Sequence, residues 1–205
     1  MRRKVFDKLA SVGGGVVVVI LAVAGTMLFV GYNFANNYVH NQLAQQNITF
    51  PAAAAFAHPK AGTEITPSMI PSVSQYAGQQ LLTGQQAQTY ANDFIAVHLN
   101  QIGGGKSYSQ LSSEAMALPK GSPAYTAAEA KVQSVFQGTT LRGLLLEAYG
   151  FSLMATIAFW CAIAAWSLAG LLAVLVAIGF WHAKRTDESE ELLPQHAPPA
   201  RVITA

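Results

Sequence analysis

The side chains best suited to hold a metal or move a proton in this chain are His40, His58 and His98, with Asp93 close to the last of them. Metal sites usually draw several His or carboxylate ligands from paired spacings. These three histidines stand alone, with no His-x-His or His-x3-His pair. Only His98 has a plausible carboxylate neighbour, and on an apolar helix face it reads as a core or interface histidine. Residues 103–107 read GGGKS, as in a phosphate-binding loop. Such a loop needs a glycine five positions before its final glycine and a strand ahead of it. Here that position is Asn100, and a helical pattern precedes it. No Gly-x-Ser-x-Gly elbow is present for a serine nucleophile. Cys161 is the sole cysteine, so disulfides and cysteine-ligated metal sites within this chain are ruled out, and it reads as a core residue. Asn47-Ile48-Thr49 is a glycosylation sequon, which matters only in a eukaryotic secretory pathway. No catalytic, metal or cofactor-binding residue is assigned, and no enzymatic activity is expected.

The elements that carry these residues are set by two long apolar runs, 12–32 and 151–181, neither of which contains Asp, Glu, Lys, Arg or His. Runs of about 18 or more apolar residues read as membrane spans. A spanning helix satisfies every backbone N–H and C=O within itself, as lipid demands. A buried charge within a span is the default mark of an ion path. Thr26, Thr156 and Ser167 are too weak a set to build a pore or a carrier, which argues against a stand-alone transporter.

Basic residues orient the spans. Arg2, Arg3, Lys4 and Lys8 precede the first run, against Asp7, and Lys184 and Arg185 follow the second. Lys and Arg concentrate on cytoplasmic flanks. Both termini are therefore expected in the cytoplasm of a plasma-membrane protein, with residues 33–150 outside. Ala22-Val23-Ala24 resembles a signal-peptide cleavage site. The apolar run continues beyond it through Val30, which favours a retained anchor. The second run is longer than a span needs. Trp160 and Trp181 lie 21 residues apart, about 31 Å along a helix, close to the hydrocarbon thickness of about 30 Å. Tryptophan favours membrane interfaces, so the buried part falls between them, with Lys184 and Arg185 at the inner interface.

Ala158, Ala162, Ala165, Ala169, Ala173 and Ala177 follow at spacings of four or three. Small residues on one stripe let helices approach closely in lipid. The stripe predicts a seam for the first span or for a partner subunit. Gly13, Gly14 and Gly15, near Ser11, offer a matching surface at the inner end of the first span.

The outer segment is long enough for one small domain. Residues 33–46 are polar and amide-rich, suiting a stalk or an extension of the first helix, and 47–50 suit a short strand ended by Pro51. Pro59, Pro67 and Pro71 then punctuate an extended arm. From Gly84, the positions Ala87, Tyr90, Ala91, Phe94, Ile95, His98, Leu99 and Ile102 share one helical face. Gly103, Gly104 and Gly105 end that helix. A short helix over 109–118 follows. Ser122-Pro123 then begins another, with Thr126 to Glu129 as a competing start, and an unbroken run into the second span is open to it. Residues 138–140 are the expected place for a kink. Arg142 and Glu147 stand just outside the second span, where they suit lipid headgroups, a mutual ion pair or a partner.

The stretches YANDFIAVHL (90–99), GGGKSYSQLSSEA (103–115) and VFQGTTLRGLLLEAYGF (135–151) resemble a family of small, mostly uncharacterised actinobacterial two-span membrane proteins. The resemblance covers most of the chain, including both spans. Some members carry an automatic label as an aromatic ring-opening dioxygenase. Such enzymes hold non-haem iron with two His and a carboxylate, and the residues of this chain do not supply that set. The resemblance implies a cell envelope, not a chemistry.

The tail, 182–205, carries Asp187, Glu188, Glu190 and Glu191 and then Pro194, Pro198 and Pro199, a composition that predicts disorder. The resulting expectation is a mainly α protein. It has a basic cytoplasmic N-terminus (1–11), two transmembrane helices (12–32 and 151–181), an extracytoplasmic helical domain with an extended arm (33–150) and a cytoplasmic tail. Its expected role is that of an accessory or scaffolding subunit acting on another membrane complex or on itself, with membrane lipid and either a membrane protein partner or a second copy of the chain as partners, and no nucleic acid. The alternative is an outer module binding lipid or an apolar ligand, in a pocket lined by Phe94, Leu99, Phe136 and Leu144. No cofactor is expected.

Overall fold

The computed structural model describes residues 2–60 and 62–187, so the acidic and proline-rich positions from Glu188 onward lie outside the described residues. The described chain is mainly helical and contains no strand. It divides into two compact units, one drawn from Met1–Val30 and Ala158–Ala205, the other from Gly31–Ile157.

Two long helices contribute to both units. Helix α1 spans Arg3–Gln46 and helix α6 spans Pro123–Arg185. Both are long and apolar enough to cross a membrane. Only 6% of the most apolar window of α1, and 11% of that of α6, is buried inside the protein. Their apolar faces are thus mostly left uncovered by the chain itself.

In the first unit, α1 and α6 pair in antiparallel register. The Asp7 carboxylate meets His182 Nδ1 at 2.9 Å. Ser11 sits against Gly179, and Gly14 against Val176. Further along, Gly25 leaves the space that the Trp166 indole fills, and Phe29 packs on the same indole with ring centroids 5.4 Å apart. These contacts recur every three or four residues, the spacing of one helix face. Ala162, Ala169 and Ala183 are buried along the seam.

The second unit holds the continuous hydrophobic core. Helix α1 ends where Asn47 turns left-handed (φ 51°), a conformation asparagine tolerates at a helix end. The expected strand over 47–50 is only a single antiparallel bridge, Thr49 to Gln80. Flanking bonds from Phe50 N–H to Gln79 O (2.9 Å) and Leu81 N–H to Ile48 O (2.8 Å) hold it, while Pro51 has no N–H with which to extend the ladder. The arm beyond is built from 3-10 turns and one short helix, α2 (Ile70–Val73). It supplies the deepest side chains: Phe50, Met69, Val73 and Leu81 are essentially fully buried against Val39 and Leu43 of α1 and Leu145 of α6. An expected loop lying on the helices is thus a central part of the core.

Helix α3 (Gly84–Thr89) starts with a reciprocal capping box between Thr83 and Gln86. A π-helical turn, Tyr90–Ile95, joins it to α4 (Ala96–Gly103). The wider turn changes the phase of the apolar face. Ala87, Ala91 and Ile95 are buried as expected, whereas Ile102 has rotated into the open. Gly104, left-handed at φ 62°, closes α4. Helix α5 (Tyr108–Met116) follows a second capping box, Ser107 with Gln110, and packs Leu111 and Ala115 on Val132 and Val135 of α6.

Helix α6 begins at Pro123, with the Ser122 hydroxyl accepting from Tyr125 N–H at 3.0 Å. It is one continuous helix through 138–140, where a kink was expected. Gly138 serves close approach instead: a Cβ there would sit 2.5 Å from Leu99 Cδ2.

Replacing Gly25 by leucine should force Trp166 out of its place and destabilise the helix pair by about 1–3 kcal/mol, the usual cost of overpacking. Gly31→Leu, whose Cβ meets nothing within 4 Å, should be nearly silent. The melting temperatures of both variants in mild detergent test this, and equal values would refute the Gly25 contact.

Candidate functional site

The residues with potential chemistry are dispersed and mostly engaged. His40 and His58 are exposed. His98 is half-buried; its Nδ1–H donates to Phe94 O at 2.9 Å, and its ring rests on Phe94. Among the described residues no group of three His, Cys, Asp or Glu is placed to hold a metal ion. The GGGKS segment is a helix connector: Lys106 Nζ donates to both oxygens of Glu114 (2.7 and 2.8 Å), and Ser107 caps α5. Cys161 is an exposed free thiol rather than a core residue.

Arg142 has a structural partner set that the sequence did not announce. Its Nε–H donates to the Ala91 carbonyl (3.2 Å) and its Nη2–H to Asn92 Oδ1 (2.9 Å). Both acceptors lie in the π-helical turn, where the Ala91 carbonyl also accepts from the Ala96 N–H, so Arg142 uses its second lone pair. Arg142 therefore ties α6 to that turn, and it does not pair with Glu147. Nearby, Tyr90 lies between Phe50 and Phe94, with ring centroids 5.2 and 4.7 Å away. Burial, then the charge of Glu64, pushes its phenol pKa up from 10.0.

Glu147 lines a different feature, a groove of about 230 Å³ between the outer part of α1 and the middle of α6. Its floor is Val39, Leu43 and Leu145, all buried in the main core. Tyr38, Leu144 and Phe151 form exposed walls. Gln42, Gln46 and the exposed Glu147 supply its polar rim. Among the described residues the Glu147 carboxylate has no hydrogen-bond or ion-pair partner.

This groove differs from the expected apolar pocket. Of the four residues expected to line an apolar pocket, Leu144 lines this groove and Phe94, Leu99 and Phe136 do not. Phe94 belongs to the aromatic ladder, Leu99 covers Gly138, and Phe136 pairs with Tyr108 at 5.6 Å. The half of the groove on α1 lies in 33–46, the polar, amide-rich segment expected as a stalk or an extension of the first helix, and it is the extension. Its signal was the spacing Phe34, Tyr38, Val39, Leu43, an apolar face hidden among amides.

The expected packing seam is redistributed. Ala162 and Ala169 are buried and Ala158 and Ala165 half-buried, but Ala173 and Ala177 are exposed. Each step of four residues overshoots a helical turn by about 40°, so two such steps after Ala169 leave the contact face. Leu172, Val176, Gly179 and Ala183 continue it instead. Of the three glycines only Gly14 meets the facing helix; Gly13 and Gly15 face open space. Trp160 and Trp181 are both exposed, with the Arg185 guanidinium 4.1 Å over the Trp181 ring, and Lys184 is exposed as well.

No family model, curated protein or solved structure matches this chain.

Arg142→Ala should cost the Ala91 carbonyl its second hydrogen bond and Asn92 Oδ1 its Arg142 partner, and destabilise the second unit by about 1–3 kcal/mol. Arg142→Lys, which keeps the charge but loses the forked geometry, should recover only part of it. Hydrogen exchange of amides 90–96 in the full chain checks this; unchanged protection in Arg142→Ala would overturn the assignment.

Proposed function

We propose that this protein is a non-enzymatic integral membrane protein, held by residues 12–32 and 151–181, that acts as an accessory or scaffolding subunit of a cell-envelope membrane complex. The observation that supports it is the apolar surface of α1 and α6, which the protein itself leaves almost wholly uncovered. Such a surface belongs in lipid or against another apolar helix. The ionisable groups near the helix ends favour the orientation drawn from the sequence. Arg2, Arg3, Lys4 and Lys8 lie at one end of α1 and Lys184 and Arg185 at the same end of the antiparallel pair, so both termini are cytoplasmic and 33–150 extracytoplasmic. A non-enzymatic role accords with the structural engagement of Arg142, Lys106, Glu114 and His98. The envelope is that of an actinobacterium, as the sequence resemblance implies.

The groove beside Glu147 favours a second reading, an outer module that binds lipid or another apolar ligand. It combines a buried apolar floor with a few polar groups, the usual make-up of a small-molecule site.

Topology is tested with single-cysteine variants in a Cys161→Ala background. Ser109→Cys should react with a membrane-impermeant maleimide in intact cells, and Asp187→Cys only after lysis; the reverse pattern would refute the orientation. Function is tested by a pull-down of the native protein in gentle detergent, with mass spectrometry of proteins and lipids. A stoichiometric membrane protein supports the accessory role, and a lone monomer under all conditions refutes it.

A further inference from the structure

Among the described residues, nothing neutralises the charge of Arg142. The side chain is half-buried, and its two bonds go to neutral acceptors, the Ala91 carbonyl and Asn92 Oδ1. No described carboxylate forms an ion pair with it. A cation taken partly out of water and left unmatched gains most from an anion that can reach it.

The shape of the guanidinium says which side is open. Nε–H and one Nη2–H form one edge of the planar fork, and both are engaged. The end edge, made by Nη1–H and the second Nη2–H, has no acceptor. Two parallel N–H groups on such an edge match two oxygens of one oxyanion. The bonds to the π-helical turn already hold the fork, so an arriving anion has little side-chain freedom left to freeze.

Arg142 also lines an open recess of about 580 Å³ among α4, the connector 104–107, α5 and α6. Asn100, Tyr108, Ser109 and Thr139 each bring an amide or a hydroxyl to it, and none of these four groups has a hydrogen-bond partner among the described residues. Thr139 stands three positions before Arg142, on the same helix face. No carboxylate belongs to the lining. Its other cation, Lys106, is already matched by Glu114, so the open charge is that of Arg142. The GGGKS backbone contributes nothing, since the N–H groups of Gly105, Lys106 and Ser107 are taken by Asn100 O, Gly103 O and Gln110 Oε1.

A fork with hydroxyl and amide donors beside it recognises an oxyanion. A carboxylate brings two oxygens, and the fork alone engages both. A phosphate brings further oxygens that accept from the neighbouring hydroxyls and amide. We propose that this recess binds a phosphate group, held by the end edge of Arg142 with Thr139 as a second donor. The site lies within the second unit, apart from the groove beside Glu147, and it does not rest on the membrane reading.

The test uses the full chain in a mild, phosphate-free detergent. Binding of labelled inorganic phosphate is measured by equilibrium dialysis at constant ionic strength. The expected result is one phosphate per chain, displaced by acetate only at about tenfold higher concentration. Thr139→Val, an exposed change that keeps the shape and removes the hydroxyl, should weaken binding about tenfold at an unchanged melting temperature. Thr139→Glu puts a carboxylate one turn from Arg142. It should supply the missing anion from within the chain and abolish phosphate binding, with the melting temperature held or raised. Gln137→Glu makes the same change of charge at an exposed position outside the lining and should bind as the parent chain does. Dihexanoyl phosphatidic acid separates the two sources of a phosphate: displacement of the label equal to that by inorganic phosphate assigns a soluble one, and much stronger displacement assigns a lipid headgroup.

No bound phosphate in the parent chain would overturn the inference. Acetate competing as well as phosphate would overturn the choice of ligand. Binding that survives Thr139→Glu would overturn the site. Binding lost equally in Gln137→Glu would overturn it too, since overall charge alone would then be at work. Each of these failures leaves the proposed membrane role standing.

Discussion

Uncovered apolar surface on two helices is the constraint on which the rest of this structure depends. Each helix satisfies its own backbone hydrogen bonds through continuous ladders of 44 and 63 residues. Their side chains are another matter. Valine, leucine and isoleucine along 16–30 and 163–178 point mostly outward, and the pair buries little more than a narrow seam. Water is a poor surrounding for such a surface, because apolar area removed from water stabilises by about 25 cal/mol per Å². Lipid covers it without demanding a larger protein core, and the proposed placement follows from that balance.

Within the seam, fit rather than area decides the pairing. Where the surroundings are already apolar, helices gain little from hiding hydrophobic surface, and close packing takes over. Gly25 and Trp166 show the arrangement: one residue gives up its side chain so that the largest side chain of the facing helix can sit there. Ser11 with Gly179, Gly14 with Val176, and the Asp7–His182 contact carry the same register to the end of the pair.

The second unit follows ordinary core physics. Phe50, Met69, Val73 and Leu81, all from the segment between the long helix α1 and α3, fill the space beside Val39, Leu43 and Leu145. Two capping boxes and the left-handed Gly104 satisfy the ends of short helices that would be marginal alone. Arg142 bonds to the π-helical turn, so the turn that breaks the regular ladder is itself held. The groove is a by-product of this packing: two helices meet over a buried floor, while Tyr38, Leu144 and Phe151 stay outside it.

Local patterns were enough to read much of this chain. Two apolar runs declare two long helices, because about 20 residues of one kind leave no other economical backbone. The glycines at 103–105 and the Ser122-Pro123 pair mark helix ends, because their preferences act within a few bonds. The periodicity from Ala87 to Leu99 shows a buried face for the same reason. What the sequence could not show depends on residues brought together from far apart. Arg142 meets Ala91 and Asn92 across some 50 positions, and a π-helical turn has no local signature that would predict it. Gly138 makes room for Leu99, from a segment some 40 positions away, which no local pattern around Gly138 reveals. The alanine stripe gave the contact face only as far as Ala169, since the phase of the seam is set by the facing helix. The groove lay in two segments read separately, one as a polar stalk or helix extension and one as a membrane approach. A sequence states what each helix offers, and only the packed structure decides which faces meet, because burial is a property of neighbours.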